Sequence, residues 1–206
     1  MDRRRHWEEV YATKPADTVS WFQPRADLSL RLIKDSGFDK SASIIDVGGG
    51  ASTLVDDLLN DGYKDISVLD LSGKALDVAK KRLGDQVGAV SWIEGDITKV
   101  PLLLQRYDIW HDRAVFHFLT EPEDREAYVR QVLHALRPGG LIIVASFATD
   151  GPEKCSGLPV VRYEPDGLHG EFGTVFHLLG HQREIHHTPA GKEQSFVYCY
   201  CRREDS

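Results

Sequence analysis

The sequence predicts an α/β fold: a doubly wound, mostly parallel sheet with helices on both faces and an antiparallel hairpin near its C-terminal end. Three observations predict it. Short apolar runs alternate with stretches of helical apolar spacing, the pattern of strands joined by crossover helices. Leu141 to Phe147 is a nearly unbroken apolar run, as expected for a strand covered on both faces. Two strand-like segments flank Thr188-Pro-Ala-Gly191, a turn sequence, and so read as a hairpin.

Taken in order, residues 1–42 precede the first strand and hold Trp7 and Trp21. So much aromatic surface is expected to pack across the top of the sheet rather than remain solvated. Ser43 to Val47 reads as the first strand, followed by three glycines. Residues 52–61 carry Leu54, Val55, Leu58 and Leu59 at helical spacing, and Gly62 stands where a helix-ending glycine belongs. Asp65 to Leu69 is the second strand. Ser72 caps a helix with Ala75, Leu76, Ala79 and Leu83 on one face, closed by Gly84. Ala89 to Ile93 is the third strand and Tyr107 to His111 the fourth.

Thr120-Glu-Pro-Glu123 reads as a capping box. The helix behind it should bury Tyr128, Val132, Leu133 and Leu136 and stop at Arg137-Pro-Gly-Gly140. Residues 148–170 read as irregular, with at most one short helix near Glu164 to Gly170. Val175 to Ile185 and Lys192 to Cys201 are the hairpin strands. Cys199 and Cys201 then share one face and read as small core residues.

The chain has 206 residues, enough for one domain with a sizeable core. It is 41% hydrophobic and 28% charged, which excludes a disordered chain or a disulfide scaffold. The formal net charge of −7 disfavours a nucleic-acid backbone as partner. No stretch approaches the roughly 20 apolar residues that cross a bilayer, so no membrane is expected. Three cysteines without C-x-x-C spacing, and histidines without H-E-x-x-H spacing, lead to no expected metal site. A reducing cytoplasm fits this cysteine usage.

Ligands of such sheets bind at the carboxyl ends of the strands. The first crossing is Asp46-Val-Gly-Gly-Gly50-Ala-Ser52, where glycines admit close backbone approach. The dinucleotide spacing G-x-G-x-x-G is not met, because position 53 is Thr. The second strand ends in Leu69-Asp70-Leu71-Ser72, an acid about 20 residues past the glycines that can accept ribose hydroxyls. The third ends in Glu94-Gly95-Asp96-Ile97. There a carboxylate can take an exocyclic amine while Ile97 covers a ring face. Together these three ends fit one nucleoside laid across the sheet.

Asp46-Val-Gly-Gly-Gly50, Val68-Leu-Asp70, Gly95-Asp96-Ile97 and Leu136-Arg-Pro-Gly-Gly140 resemble, in order, the motifs of class I S-adenosylmethionine-dependent methyltransferases. The resemblance covers roughly residues 43–147. It departs from the family's alternating glycine loop in placing Gly49 at a variable position and Ser52 where the last glycine stands. It implies a Rossmann-like, seven-stranded sheet and S-adenosyl-L-methionine as cofactor. It places Asp46 near the ammonium, Gly48, Gly49, Gly50 and Ser52 along the methionine part, Asp70 and Leu71 at the ribose, and Asp96 with Ile97 at the adenine.

The segment after the fourth strand, Trp110-His-Asp-Arg-Ala-Val-Phe-His-Phe-Leu119, is not the N/D-P-P-Y/F tetrapeptide of amino- and base-methylating enzymes. Asp112-Arg113 resembles the corresponding step of thiopurine S-methyltransferases, and more loosely that of elongation-factor lysine methyltransferases. His6-Trp-Glu-Glu-Val-Tyr11 and Ser20-Trp-Phe-Gln23 resemble the aromatic arm of both groups. The resemblance implies Trp7, Tyr11 and Trp21 as cofactor walls, with Arg113 or His117 facing the acceptor. His111, at the strand's end, is a candidate for both catalysis and cofactor contact. Arg162 and Tyr163 are candidates for an anionic acceptor.

The expected function is methylation of a small molecule, a thiol first, by a monomer. The domain division is 1–42 as a helical arm over the cofactor and 43–206 as the methyltransferase domain. The alternatives are a protein-lysine methyltransferase and a non-catalytic nucleoside-binding module.

Overall fold

In a computed structural model, which describes residues 2–204, strands and helices alternate as the sequence predicts. The strands are β1 (Ser43–Val47), β2 (Asp65–Asp70), β3 (Val90–Glu94), β4 (Tyr107–Arg113), β5 (Leu136–Phe147), β6 (Lys154–Cys155), β7 (Leu158–Pro159), β8 (Phe176–His187) and β9 (Glu193–Arg203). The helices are α1 (Arg3–Thr13), α2 (Asp27–Lys34), α3 (Leu54–Asn60), α4 (Gly73–Leu83), α5 (Pro122–Ala135) and α6 (Pro165–Gly170). Seven strands form one sheet in the order β3-β2-β1-β4-β5-β9-β8. β1 to β5 run parallel to their neighbours, and β9 joins antiparallel to both β5 and β8. The strand order reverses between β1 and β4, which opens a crevice at their carboxyl ends.

Alternation along each strand divides the core between two faces. Ile44, Ile66, Val68, Ile109 and Ile143 face α2, α3 and α4 through Leu30, Ile33, Leu58 and Leu76. Ile45, Leu69, Trp110, Ile142 and Val144 face α5 and α6 through Tyr128, Val132 and Leu168. Cys199 and Cys201 both lie in this second core, with their sulfurs 3.5 Å apart.

Four local expectations need correction. Thr120 does not cap α5: Glu121 is the N-cap, without a side-chain bond, and Pro122 opens the helix. Proline has a preset helical φ and no N–H to satisfy, so it sets the start by itself. Leu136 is not in the helix but begins β5, and a register shift between Tyr107 and Ile109 absorbs the Arg137-Pro-Gly-Gly140 segment. Residues 148–170 are not only irregular. β6 and β7 form a small hairpin through Ser156 and Gly157, both at positive φ. Finally, only part of residues 1–42 crosses the strand ends. The apolar face of α2, with Leu30 and Ile33, instead joins the core beside α3.

Candidate functional site

The crevice holds a cleft with two adjoining lobes. The first has an empty volume of about 810 Å³, including its open mouth. Its floor is the ends of β1, β2 and β3: Gly48, Asp70, Leu71, Asp96 and Ile97. Its walls are Trp7, Tyr11 and Trp21 from the N-terminal arm, and Ala114, Val115 and Phe118 after β4. Cys155, from the β6–β7 hairpin, closes one side. The second lobe, about 540 Å³, lies beside Asp46, Gly48, Gly49, Ser52, Ser29 and His111. Tyr11, Trp21, Gly48 and Arg113 border both.

Backbone demands explain the glycines. Gly48 has φ +73°, and a Cβ there would overlap Val115. A Cβ on Gly49 would overlap the Asp46 carboxylate, and one on Gly50 would come within 2.5 Å of Ala75 Cβ. The loop is tied to the neighbouring strand by Gly48 N–H to Leu69 O (2.7 Å) and Gly50 N–H to Asp70 Oδ2 (3.1 Å). Ser72 N–H donates to the other Asp70 oxygen at 2.9 Å. Burial pushes the Asp70 carboxyl up to about 6 despite these donors, and the nearby charges of Asp46 and Glu8 add to the rise.

The aromatic wall is a connected cluster. Trp7 meets Trp21 edge-on at 5.5 Å and Phe118 at 5.1 Å, and Tyr11 meets Trp21 at 6.2 Å. α1 is fastened over the strand ends by ions at its rim. Arg3 pairs with Asp124 at 2.6 Å, Arg4 with Glu94, and Glu8 accepts from Lys74 N–H at the start of α4 (3.4 Å). Burial opposes ionisation of Glu8, but hydrogen bonds from Ser72, Lys74 and Gly73 outweigh it and hold its carboxyl below the ordinary range.

The residues around the fourth strand are placed differently from one another. Asp112 is fully buried and accepts from Tyr128 OH (2.6 Å), Val115 N–H (2.9 Å) and Phe116 N–H (3.1 Å), so it shapes the turn that carries the cleft wall. Arg113 borders the cleft, but its fork is committed. It donates to the Trp21 carbonyl at 3.1 Å, Tyr198 OH at 3.0 Å and Glu184 at 3.2 Å. His111 borders the second lobe with both nitrogens engaged, Nδ1 with Asp46 (2.7 Å) and Nε2 with Ser29 (2.8 Å). His117 is not among the residues bordering either lobe. Its ring packs on Phe118 and Phe147, and burial lowers its pKa to about 3, with the Arg113 charge adding to the drop. It is therefore uncharged at neutral pH and packed behind the cleft wall.

Arg162 is bound to the carbonyls of Thr149 and Gly151, and Tyr163 to Glu171, so neither borders the cleft. Arg3, Ser29, Val115 and Phe118 also border the cleft, and Glu184 and Tyr198 hold Arg113 at its edge. The apolar stretch after the fourth strand was a signal for Val115 and Phe118. The others become neighbours only through the fold. Among the described residues there is no cluster able to hold a metal ion, and no helix is long and apolar enough to cross a membrane.

Comparison with known proteins agrees with this architecture. Residues 44–140 match the family model described as "Methyltransferase domain". The chain is similar to EEF1A lysine methyltransferase 2 of Danio rerio, at 24% identity over 123 residues, 57% of this chain and 53% of that protein. It spans about half the length of the curated relatives it matches. A structure described under "Conversion of a Disulfide Bond into a Thioacetal Group during Echinomycin Biosynthesis" superposes with a TM-score of 0.77 at 18% identity, covering 98% of this chain and 92% of that one. The 1,6-didemethyltoxoflavin-N1-methyltransferase of Burkholderia thailandensis, solved with S-adenosylhomocysteine, superposes at 0.70 with 17% identity, covering 98% and 87%. At these identities the two structures share the fold.

Proposed function

We propose that this chain, whose residues 44–140 match a methyltransferase domain, is a class I S-adenosylmethionine-dependent methyltransferase that transfers a methyl group to a small-molecule acceptor, a thiol being the first candidate. The part of residues 1–42 that crosses the strand ends, α1 with Trp21, acts as an arm over the cofactor, α2 belongs to the core, and residues 43–206 act as the catalytic domain. The residues present suit the donor. Asp46 offers a buried carboxylate oxygen without a partner among the described residues, and the glycine loop leaves no room for side chains beside it.

In this reading Asp46 and the loop Gly48, Gly49, Gly50 and Ser52 take the methionine part. Asp70 with Leu71 takes the ribose, and Asp96 with Ile97 the adenine. Trp7, Tyr11 and Trp21 close over the charged centre, where aromatic faces attract a cation. The donor itself supplies an electrophilic methyl on a sulfonium sulfur. The protein's share is then to hold the acceptor in line and keep water out, which can supply about 7–11 kcal/mol of the barrier.

One observation favours a soft acceptor: apart from the two carboxylates given to the donor, no group bordering the first lobe is ready to take a proton. Burial pushes the Cys155 thiol up to about 11 and raises Tyr11 far above its ordinary value. Arg113 is neutralised by Glu184. A thiol with a pKa of about 8.5 is already a few per cent thiolate at neutral pH, whereas an ammonium at about 10.4 needs a base. The likeness to the lysine methyltransferase supports the second reading, a protein lysine as acceptor.

Incubation with methyl-labelled S-adenosylmethionine separates the readings. Label is expected in small thiols from a panel of aromatic and aliphatic candidates. Label confined to a protein band from cell lysate would replace the first reading with the second. Binding of NAD without binding of S-adenosylhomocysteine would remove both.

A further inference from the structure

Arg113 brings a positive charge to the place where the two lobes of the cleft meet. Tyr11, Trp21, Gly48 and Arg113 border both lobes. With the adenosine of the donor in the first lobe and its amino-acid part in the second, the sulfur that joins them passes this point. That sulfur is a cation in the donor and neutral in the product, S-adenosylhomocysteine. A bare guanidinium beside it would repel the donor and leave the product's sulfur indifferent.

The sheet supplies the compensating charge from three strands away. In register, Arg113 of β4 lies opposite Ala145 of β5, and Ala145 opposite Tyr198 of β9. Alanine is small enough for the arginine side chain to cross β5 toward β9 and β8. There its guanidinium carbon sits 4.2 Å from the centre of the Phe196 ring, while Nε donates to Tyr198 OH at 3.0 Å and Nη2 to Glu184 Oε2 at 3.2 Å. Glu184 stands opposite Phe196 in register, on β8. Both its oxygens are filled: Tyr198 OH also donates to Oε2 at 3.4 Å, and Gln23 donates to Oε1 at 3.1 Å. The Arg113 and Glu184 side chains are 9% and 16% exposed, so solvent screens neither well.

Neighbouring groups do not duplicate the pairing. His186, two residues along β8, donates its Nε2–H to the Ser20 carbonyl at 2.8 Å. Burial lowers its pKa and the Arg113 charge adds to the drop, so it is neutral. Among the described residues Glu184 is the one carboxylate paired with Arg113. A buried ion pair adds little to stability compared with apolar side chains of its size, but removing one member leaves a bare charge behind.

We propose that Glu184 is a positioning residue that determines the cleft's preference for a cationic sulfur: it acts through Arg113, cancelling the guanidinium's charge where the lobes meet. This rests on the donor assignment made above. Arg113 keeps its fork on the Trp21 carbonyl and Tyr198 OH, which shapes the wall, and Glu184 removes the repulsion that fork would otherwise exert. Without Glu184 the cleft turns toward its product.

S-Adenosylmethionine and S-adenosylhomocysteine differ by one methyl group and one charge, so calorimetric titration of the full chain with each ligand reads the effect as a ratio of affinities. Glu184→Gln is expected to weaken S-adenosylmethionine by roughly tenfold, the scale of one unit charge at short range in a partly screened cleft. S-Adenosylhomocysteine should stay within about twofold of wild type. Added salt should narrow the gap. Arg113→Gln leaves Glu184 unpaired and should move the ratio the opposite way, toward S-adenosylmethionine; it carries the test if Glu184→Gln does not fold. The double variant Arg113→Gln, Glu184→Gln has no charge at the join and should return the ratio to within about twofold of wild type. A change of shape alone would not reverse its sign between the two single variants. A ratio unmoved by Glu184→Gln, a shift in the same direction in both single variants, or a double variant that keeps the ratio of Glu184→Gln overturns the proposal. Wild-type protein that binds neither ligand overturns the donor assignment itself.

Discussion

Asp70 stands under two opposed demands. Its carboxyl is buried, which favours the proton, yet it faces N–H groups that favour the ion, and the balance leaves it at about 6. In the unfolded chain its ordinary value is 3.8. The folded state therefore binds the extra proton between about pH 4 and 6, and this group's contribution to stability is present at low pH and lost as pH rises through 6. Ribose hydroxyls reverse the preference, because they donate to the ion. Affinity for S-adenosylhomocysteine is expected to rise with pH up to about 6 and level off above 7, as titrations from pH 5 to 8 would show. Asp70→Ala should remove that dependence and weaken binding by about 1.5–3 kcal/mol at neutral pH. Unchanged affinity in a folded variant would place the ribose elsewhere. Residues of this kind were legible because glycines and acids at strand ends recur at short, fixed separations. His111 was legible by position, but its partner Ser29 was not: the two stand 82 positions apart, and only the seating of α2 brings them together. Arg113 read as a residue facing the acceptor because Glu184 and Tyr198, which hold its fork, belong to strands far along the chain.

At the scale of elements, α1 sinks little apolar surface, with Val10 its one buried residue. Its remaining hold is the aromatic cluster and the ions at its rim. Half-exposed pairs are worth about 0–1 kcal/mol each and weaken in salt. Glu8 is the exception in geometry, since it meets the N-terminus of α4, where a negative charge is favoured by the helix dipole. Glu8→Gln is expected to raise amide hydrogen exchange across residues 3–13 while leaving β1 to β5 protected. Uniform exchange in both proteins would show that the aromatic cluster alone holds the arm. Element types were largely readable from periodicity, and their ends were less so. The Arg137-Pro-Gly-Gly140 segment has the composition of a helix stop but enters β5, where Arg137 pairs with Asp108 at 2.6 Å and Gly139 takes a positive φ. The Ser156-Gly157 turn carried a hairpin signal in its composition, but the two-residue strands around it are too short to show a period.

For the whole molecule, the alternation of strands and helices was legible because each face of the sheet needs its own cover. Strand order and the two-lobed cleft were not, since both depend on pairings between distant segments. A ligand that spans the cleft contacts only the folded state and should stabilise it by mass action. S-Adenosylhomocysteine at 100 times its dissociation constant is expected to add about 2.7 kcal/mol. For a chain of this size that is a melting-temperature rise of roughly 5–10 °C in a thermal scan. NAD at the same concentration should leave the melting temperature unchanged. β9, although it comes after every other strand in sequence, is not an edge: it lies between β5 and β8 and supplies Tyr198 behind the second lobe. During translation, then, β9 must leave the ribosome before β5 and β8 can be joined in one sheet. A nascent chain stalled before Glu193 has the glycine loop in hand but lacks Tyr198, the hydroxyl that meets Arg113 and Ser29.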